Sequence, residues 1–366
     1  MKQARRIAVT SSWKRSVLII VLTLMLSCLG LLFVFESSVA ESFTTFNDPY
    51  YLLIQQSVGM AAGIIAMFCS MFVPISVWKR LAPVMYVGCL LCLIAVFIPG
   101  IGLKLNGASR WLALGPVTVQ PVEFFKFGLI AYFAQWLSRH QRFGPFTLLV
   151  GVPAAMLIAQ PDLGSLLLVL AIATGMYFVA GGKIKHLAWL GLAGIPLIIL
   201  AIAVAPYRLN RVRTFLNPEL DPLGSSFHIR QITLALGRGG WLGQGLGNSQ
   251  QRFSYIPEAS TDSIFAIVAE EVGFVGSLAI ILLFVALFQA VAAVVRRIED
   301  PESRLLGYGL LFWLSAQTAL NLSAVVALVP LTGVPLPFFS YGRSSLVMLL
   351  LAIGVIVRLD RESRTP

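Results

Sequence analysis

Residues Val17–Phe35 read VLIIVLTLMLSCLGLLFVF, an apolar run free of Asp, Glu, Lys and Arg, set between Lys14-Arg15 and Glu36. Coiled as a helix it extends ~28 Å at ~1.5 Å per residue, close to the ~30 Å hydrocarbon core of a bilayer. Working outward, comparable runs occur at Tyr51–Val73, Leu81–Pro99, Val122–Leu137, Pro145–Ala159, Leu163–Ala180, His186–Pro206, Ser263–Val295, Leu305–Val329 and Ser345–Val357. The pattern predicts an all-α integral membrane protein of about ten transmembrane helices. No repeat or low-complexity stretch divides it, so residues 1–366 read as one polytopic domain. Composition agrees. The chain is 58% hydrophobic and 12% charged, with mean hydropathy +0.86, whereas a soluble domain carries ~25% charged residues.

Charge sets the orientation. Lys2, Arg5, Arg6, Lys14 and Arg15 precede the first run, which places the N-terminus in the cytoplasm by the positive-inside rule. Alternation from there puts Lys79-Arg80, Arg139/Arg142, Lys183/Lys185, Arg296-Arg297/Arg304 and Arg358/Arg361/Arg364 on the same side. An even number of spans returns the C-terminus to the cytoplasm. A signal peptide is imitated by the basic start, the apolar run and Ser38-Val39-Ala40. The run is longer than the ~7–15 residues of a signal h-region, so an uncleaved first helix is expected.

The net charge of +11 does not indicate nucleic-acid binding, because the basic residues are scattered between apolar runs rather than gathered in one module. Cys28, Cys69, Cys89 and Cys92 all fall within apolar runs. Cys89 and Cys92 form a CxxC with no histidine or second pair nearby, and they read as small apolar packing residues.

Alternation leaves one long connection outside, residues 207–262 between the seventh and eighth spans, along with Gly100–Pro121 and Pro330–Ser344. Long connections without a domain of their own are commonly functional. No ATP is available on that side and the chain has no GxxxxGK[ST] loop, so a reaction there must bring an activated substrate. Lys104, Arg110, Arg208, Arg211, Arg213, Arg230, Arg238, Arg252 and Arg343 lie outside against the positive-inside tendency. Guanidinium forks bind phosphate bidentately, which points to a diphosphate ligand near the outer leaflet. Lipid headgroups, or pairing with Glu219 and Asp221, would use the same charges.

Asp262 closes the long loop in Pro257-Glu-Ala-Ser-Thr-Asp262. It fits a helix N-cap and equally a general base held at a helix start, with Glu270 and Glu271 on the floor of an outer vestibule. Glu123 and Lys126, three apart on one helix face, would neutralise each other and mark a polar interior. Asp162, after Pro161, reads as a cap. Gly237–Gly247 is glycine-rich and is expected to form a tight loop exposing backbone N–H groups. Histidine supplies no metal cluster. Ser11-Ser-Trp-Lys14 and Ser76-Val-Trp-Lys79 match SxxK, but both face the cytoplasm and lack SDN and KTG partners, so a transpeptidase is excluded.

Several ordered motifs carry a family resemblance. They are Asn106-Gly-Ala-Ser-Arg-Trp111, Gln120-Pro-Val-Glu-Phe-Phe-Lys126, Gln160-Pro-Asp-Leu-Gly164 and Pro206-Tyr-Arg-Leu-Asn-Arg211, followed by Leu242-Gly-Gln-Gly-Leu-Gly-Asn-Ser249, Pro257–Asp262, Ala269-Glu-Glu-Val-Gly273 and Leu336-Pro-Phe-Phe-Ser-Tyr-Gly342. Across nearly the whole chain the sequence resembles the SEDS family (shape, elongation, division and sporulation), its division branch more than its elongation branch.

The resemblance implies a glycosyltransferase that polymerises lipid II into peptidoglycan glycan strands at the outer face of the cytoplasmic (inner) membrane, at the division septum. It maps the family's essential acid to Asp262 and its polar cavity to Arg110, Glu123, Lys126, Asp162 and Gln231. Arg208 and Arg211 join the candidate substrate-binding residues. It also implies a class B penicillin-binding protein and other division proteins as partners. A divalent cation (Mg or Mn) is a candidate cofactor. The chain departs from the family pattern at Val122, at Ser226-Phe-His228, at Ser260 where histidine is usual, and at Arg343, which puts a bulky cation where the family has glycine. Two other classes fit the spans: a lipid II flippase, although no inverted repeat of broken helices is present, and a non-enzymatic division scaffold.

Overall fold

The computed structural model describes residues 2–105, 108–115, 117–204, 206–217, 219, 226–249 and 260–363. Asn106, Asp221, Arg252, Pro257, Glu258 and Arg364 lie outside them. Ten of its helices coincide with the expected spans: α1 (Lys2–Phe46), α2 (Tyr51–Phe72), α3 (Ile75–Ala95), α4 (Pro121–Arg139), α5 (Phe143–Ala159), α6 (Leu163–Val179), α7 (Ile184–Ala203), α10 (Ile264–Val295), α11 (Pro301–Val325) and α12 (Arg343–Glu362). The long connection supplies two more, α8 (Pro206–Leu216) and α9 (Phe227–Gly239), which no apolar run announces. By length and composition α1, α2, α3 and α10 can cross a membrane, while α5, α6 and α7 are apolar but shorter.

The helices that fail the hydropathy criterion do so for a physical reason. α4 carries Glu123 and Lys126, and α11 carries Gln317 and Asn321, all buried. α4 is wrapped by α3, α6 and α11, and α2 lies along α12. A helix covered on all sides can hold polar groups that partner helices satisfy. Peripheral helices differ: α7 turns Trp189, Leu192, Ile195 and Leu200 outward, as lipid-facing surface requires. Cys28, Cys69 and Cys92 are exposed on such faces rather than packed inside.

Polar contacts gather at the two ends of the bundle. At one end Lys79 pairs with Asp300 at 2.5 Å, Arg139 with Glu302 at 3.7 Å, and Ser16 Oγ donates to Asp360 Oδ2 at 2.5 Å. The other end holds Gln56, Gln120, Gln160, Ser260, Asp262 and Ser340. Ser38-Val39-Ala40 lies inside the unbroken α1.

The all-helical expectation needs one correction. The connection between α3 and α4 carries a three-stranded antiparallel sheet, β1 (Gly102–Leu105), β2 (Ala108–Leu114) and β3 (Val117–Val119), in the order β1-β2-β3. Its side chains alternate with period two, so Arg110 shares the inward face of β2 with buried Ala108 and Leu112. A second expectation, that Arg343 intrudes where glycine belongs, is also corrected. Its guanidinium donates to Gln55 Oε1 at 2.6 Å and Thr118 Oγ1 at 3.4 Å, and its stem lies over Gly59.

Candidate active site

Between α6, α7, α8 and α11 lies a cavity of about 250 Å³, lined by Leu163, Leu166, Leu167, Ile198, Ile202, Val212 and Leu320 and by Arg110, Arg208 and Arg211. An apolar chamber with cations in its wall suits a lipid-linked anion. Each arginine is braced through a backbone carbonyl. Arg110 donates to Pro161 O and, at 3.4 Å, to Gln160 O, with Asp162 Oδ2 at 3.9 Å. Arg208 donates to Ile158 O at 2.6 Å and Arg211 to Leu331 O at 2.9 Å. Burial, and then the charge of nearby Arg110, pushes Arg208 below the usual arginine range, the signature of cations crowded together with too little water.

Asp162 caps α6 as its sequence context suggests: Oδ1 accepts from Ser165 N at 3.1 Å and Oδ2 from Ser165 Oγ at 2.8 Å. Gly164 follows because the backbone of Thr332 presses directly against it, leaving no room for a Cβ. That contact seats the segment Leu331–Gly333 over the start of α6. Asp262 adjoins the same segment: its Oδ2 would lie 4.0 Å from a Cβ placed on Gly333. The arginine-lined cavity and Asp262 are therefore neighbours along one strip of backbone.

Asp262 itself is 9% exposed. The N-cap of α10 is Ser263, and no side chain caps it, so the capping role expected for Asp262 is not what the structure shows. The carboxylate instead receives Ser263 Oγ at 3.4 Å, and Ser263 Oγ lies 2.8 Å from His228 Nε2. Asn321 Nδ2 holds the backbone, donating to Asp262 O and Val334 O, each at 2.8 Å. Burial, and then Arg211, lowers the His228 pKa to about 4. Gln231, one turn after His228, shares its face of α9 and does not join the Arg110–Asp162 group.

Deeper in the bundle, Lys126 Nζ donates to Glu123 Oε1 at 2.7 Å and Gln317 Oε1 at 3.1 Å, with its charge 4.9 Å from the Trp313 ring centroid. Gln317 also accepts from Trp313 Nε1 at 2.7 Å and donates to Pro335 O at 2.9 Å. The neutralising pair read from the sequence is thus present, but neither its partner Gln317 nor Asn321, one turn further along α11, is singled out by the sequence reading. Their signal was available: two amides four apart in an apolar span.

The eighth span is broken at Gly273, whose φ of +67° and ψ of −169° belong to a region essentially reserved for glycine. The break strands carbonyls and N–H groups of α10, and the glycine-rich loop repairs it. Gln244 N donates to Glu270 O at 2.9 Å and Gly245 N to Glu271 O at 3.0 Å. In return Phe274 N donates to Gly240 O at 2.9 Å and Val275 N to Trp241 O at 3.1 Å. The loop therefore spends these N–H groups on the helix instead of exposing them to a ligand. Glu270 is likewise engaged, accepting from Ser249 Oγ at 2.5 Å with Arg238 at 3.9 Å.

No three His, Cys, Asp or Glu side chains group as metal ligands among the described residues. The charged groups lining the cavity are guanidiniums, which repel a divalent cation.

Comparison with known proteins gives a consistent picture. The FtsW/RodA/SpoVE profile, described as cell cycle protein, matches residues 16–365. Stage V sporulation protein E of Bacillus subtilis is 37% identical, covering 97% of this chain and 99% of its own. A probable peptidoglycan glycosyltransferase FtsW of Coxiella burnetii is 38% identical, covering 97% and 98%. Among solved structures, a chain from a peptidoglycan synthase complex that coordinates polymerization and crosslinking superposes with a TM-score of 0.77 at 29% identity, covering 95% and 98%. The rod shape determining protein RodA of Thermus thermophilus gives 0.71 at 28%, covering 95% and 97%.

Proposed function

Because this chain belongs to the FtsW/RodA/SpoVE family of cell cycle proteins, we propose that its arginine-lined cavity and Asp262 together polymerise lipid II into glycan strands. The protein is a multi-pass membrane peptidoglycan glycosyltransferase. One observation carries the site assignment: a nearly buried carboxylate adjoins the backbone segment that also lines an apolar chamber with three guanidiniums in its wall.

The chemistry follows from that adjacency. Lipid II carries its disaccharide on an undecaprenyl diphosphate, so the leaving group is already activated and no nucleotide is required. The polyprenyl chain occupies apolar surface, and Arg110, Arg208 and Arg211 meet the diphosphate. Asp262 accepts the proton of the acceptor 4-hydroxyl as that oxygen attacks C1 of the lipid-linked chain. The C1–O bond to phosphate breaks, and the electron pair leaves on the diphosphate, whose growing charge the arginines offset. A single displacement inverts α to β at C1.

Ten crossings with both termini in the cytoplasm and residues 207–262 outside fit the separation of the polar ends. The basic loops surround the Lys79–Asp300 end, and Asp262 and the arginines lie at the opposite one. Septal work in the inner membrane beside a class B penicillin-binding protein is supported by the relatives named FtsW and by the kinship to a synthase complex.

The test is polymer formation from lipid II by the purified protein in lipid vesicles. The unaltered chain is expected to make glycan strands. Asp262→Asn, close in size, is expected to fold and bind lipid II but make none. Normal polymer yield from that variant would remove Asp262 from the chemistry.

A further inference from the structure

Resting on the glycosyl-transfer reading above, we propose that His228 is a positioning residue: its imidazole fixes the Ser263 hydroxyl, which in turn aims the Asp262 carboxylate. Ser263 has one hydroxyl proton and two polar neighbours, His228 Nε2 at 2.8 Å and Asp262 Oδ1 at 3.4 Å. Donation to the carboxylate uses that proton, so the imidazole donates Nε2–H to Ser263 Oγ. Burial, and secondarily Arg211, holds the His228 pKa at about 4, so the ring is neutral at neutral pH and can take the tautomer with hydrogen on Nε2. The result is a one-way chain, His228 to Ser263 to Asp262, in which each donor has a single acceptor.

Three observations favour a functional purpose over simple packing. Ser263 is fully buried, yet it makes no cap bond to the helix it begins, although serine at that position ordinarily does. Its hydroxyl lies against the carboxylate and the imidazole instead. The chain also joins separate elements, since His228 lies on α9, which no apolar run defines, and Asp262 immediately precedes α10. The distance from Ser263 to Asp262 is long for a hydroxyl donor, as catalytic hydrogen bonds commonly are before substrate arrives. Asn321 holds the Asp262 backbone, and Ser263 is a donor to its carboxylate.

The experiment measures kcat and KM for lipid II polymerisation in vesicles for His228→Ala, Ser263→Ala, the double variant, His228→Gln and His228→Asn. The glutamine amide nitrogen reaches about as far as Nε2, whereas the asparagine amide stops near Nδ1. Each alanine variant is expected to lose about tenfold in kcat, with KM held within about twofold, because a donor to a charged acceptor has been removed. The double variant should be no worse than either single one, since both cut the same chain. His228→Gln should recover most of the loss and His228→Asn should not. The contrast between these last two decides the matter even where an alanine variant folds poorly. Wild-type kcat in the double variant, multiplied losses, a change confined to KM, or equal behaviour of Gln and Asn would each overturn the proposal. Asp262→Asn, run alongside, separates the two levels. If it is inactive while the His228 and Ser263 variants keep full kcat, only the relay fails; if it is active, the base and the relay to it fall together.

Discussion

Gly273→Ala is a direct probe of how the eighth span is built. The native backbone there has φ +67° and ψ −169°, a conformation that costs a residue with a Cβ on the order of 1–3 kcal/mol. A Cβ would also collide with the backbone of Leu242 and Gly243. Neither is a flexible side chain, so the loop must lift. Lifting it endangers the four backbone bonds that join residues 240–245 to the break in α10, each worth about 1 kcal/mol net. Losing two to four of them brings the total to roughly 3–7 kcal/mol, a large share of the ~5–15 kcal/mol that holds an ordinary fold. At about 2 °C per kcal/mol for a large domain, the melting midpoint in mild detergent should fall by roughly 6 °C or more. Gly194→Ala is the matched control. It lies in α7 with no heavy atom within 4 Å of an added Cβ, and there alanine should be neutral or favourable by up to about 1 kcal/mol. Identical melting of Gly273→Ala and the unaltered protein, or equal damage from Gly194→Ala, would refute the account of the break and its repair.

Two further outcomes are expected. Cysteines placed at Asn217 or Asn248 should react with a membrane-impermeant reagent applied to sealed cells, and one at Gln141 should not; labelling at Gln141 would overturn the span alternation. At the opposite end, burial alone would raise the Asp300 pKa, but the hydrogen bond from Lys79 and those from Ser303 outweigh it and lower the value to about 2, against ~3.9 for a free aspartate. The folded state binds the proton less readily, so the stabilisation is complete above about pH 4 and lost as pH falls toward 2. The stability difference between the unaltered protein and Asp300→Asn should follow that window in pH-dependent melting, and a flat difference across it would contradict the pairing.

How much of this could be read from the sequence depended on whether a residue acts through its neighbours in the chain or through distant ones. The ten helices were legible because each contains an apolar run of its own, and even the short α5 and α6 fell within a few residues of their expected ends. Asp162 was legible as a cap, since Ser165 is three residues away. The Glu123–Lys126 pair was legible for the same reason. Asp262 was not, because the helix begins one residue later than its capping pattern suggests, Asn321 of α11 holds its backbone, and α9 reaches it only through Ser263. Nor was the use of the glycine-rich loop: its hydrogen bonds go to a break in another segment, and that break is set by one torsion at Gly273. The sheet of residues 102–119 was hidden by its shortness, three to seven residues per strand, too few for a clear period.

The buried pair also bears on the choice between catalysis and transport. A headgroup moving past Lys126 would have to displace Glu123 and Gln317 and then leave one charge stranded in the bundle, at a cost of roughly 3–5 kcal/mol for a buried pair broken on one side. The structure gives the pair another use. Lys126 binds Gln317, Gln317 holds Pro335 O, and Asn321, one turn further along α11, holds Val334 O and Asp262 O. The polar residues of α4 and α11 thus fix the far end of the segment whose near end, Leu331, accepts from Arg211. That segment adjoins both the arginine-lined cavity and Asp262. A gap between leaving-group site and base must stay constant for an in-line displacement to repeat along a growing strand, and a lysine locked among fixed partners serves that constancy better than it serves passage.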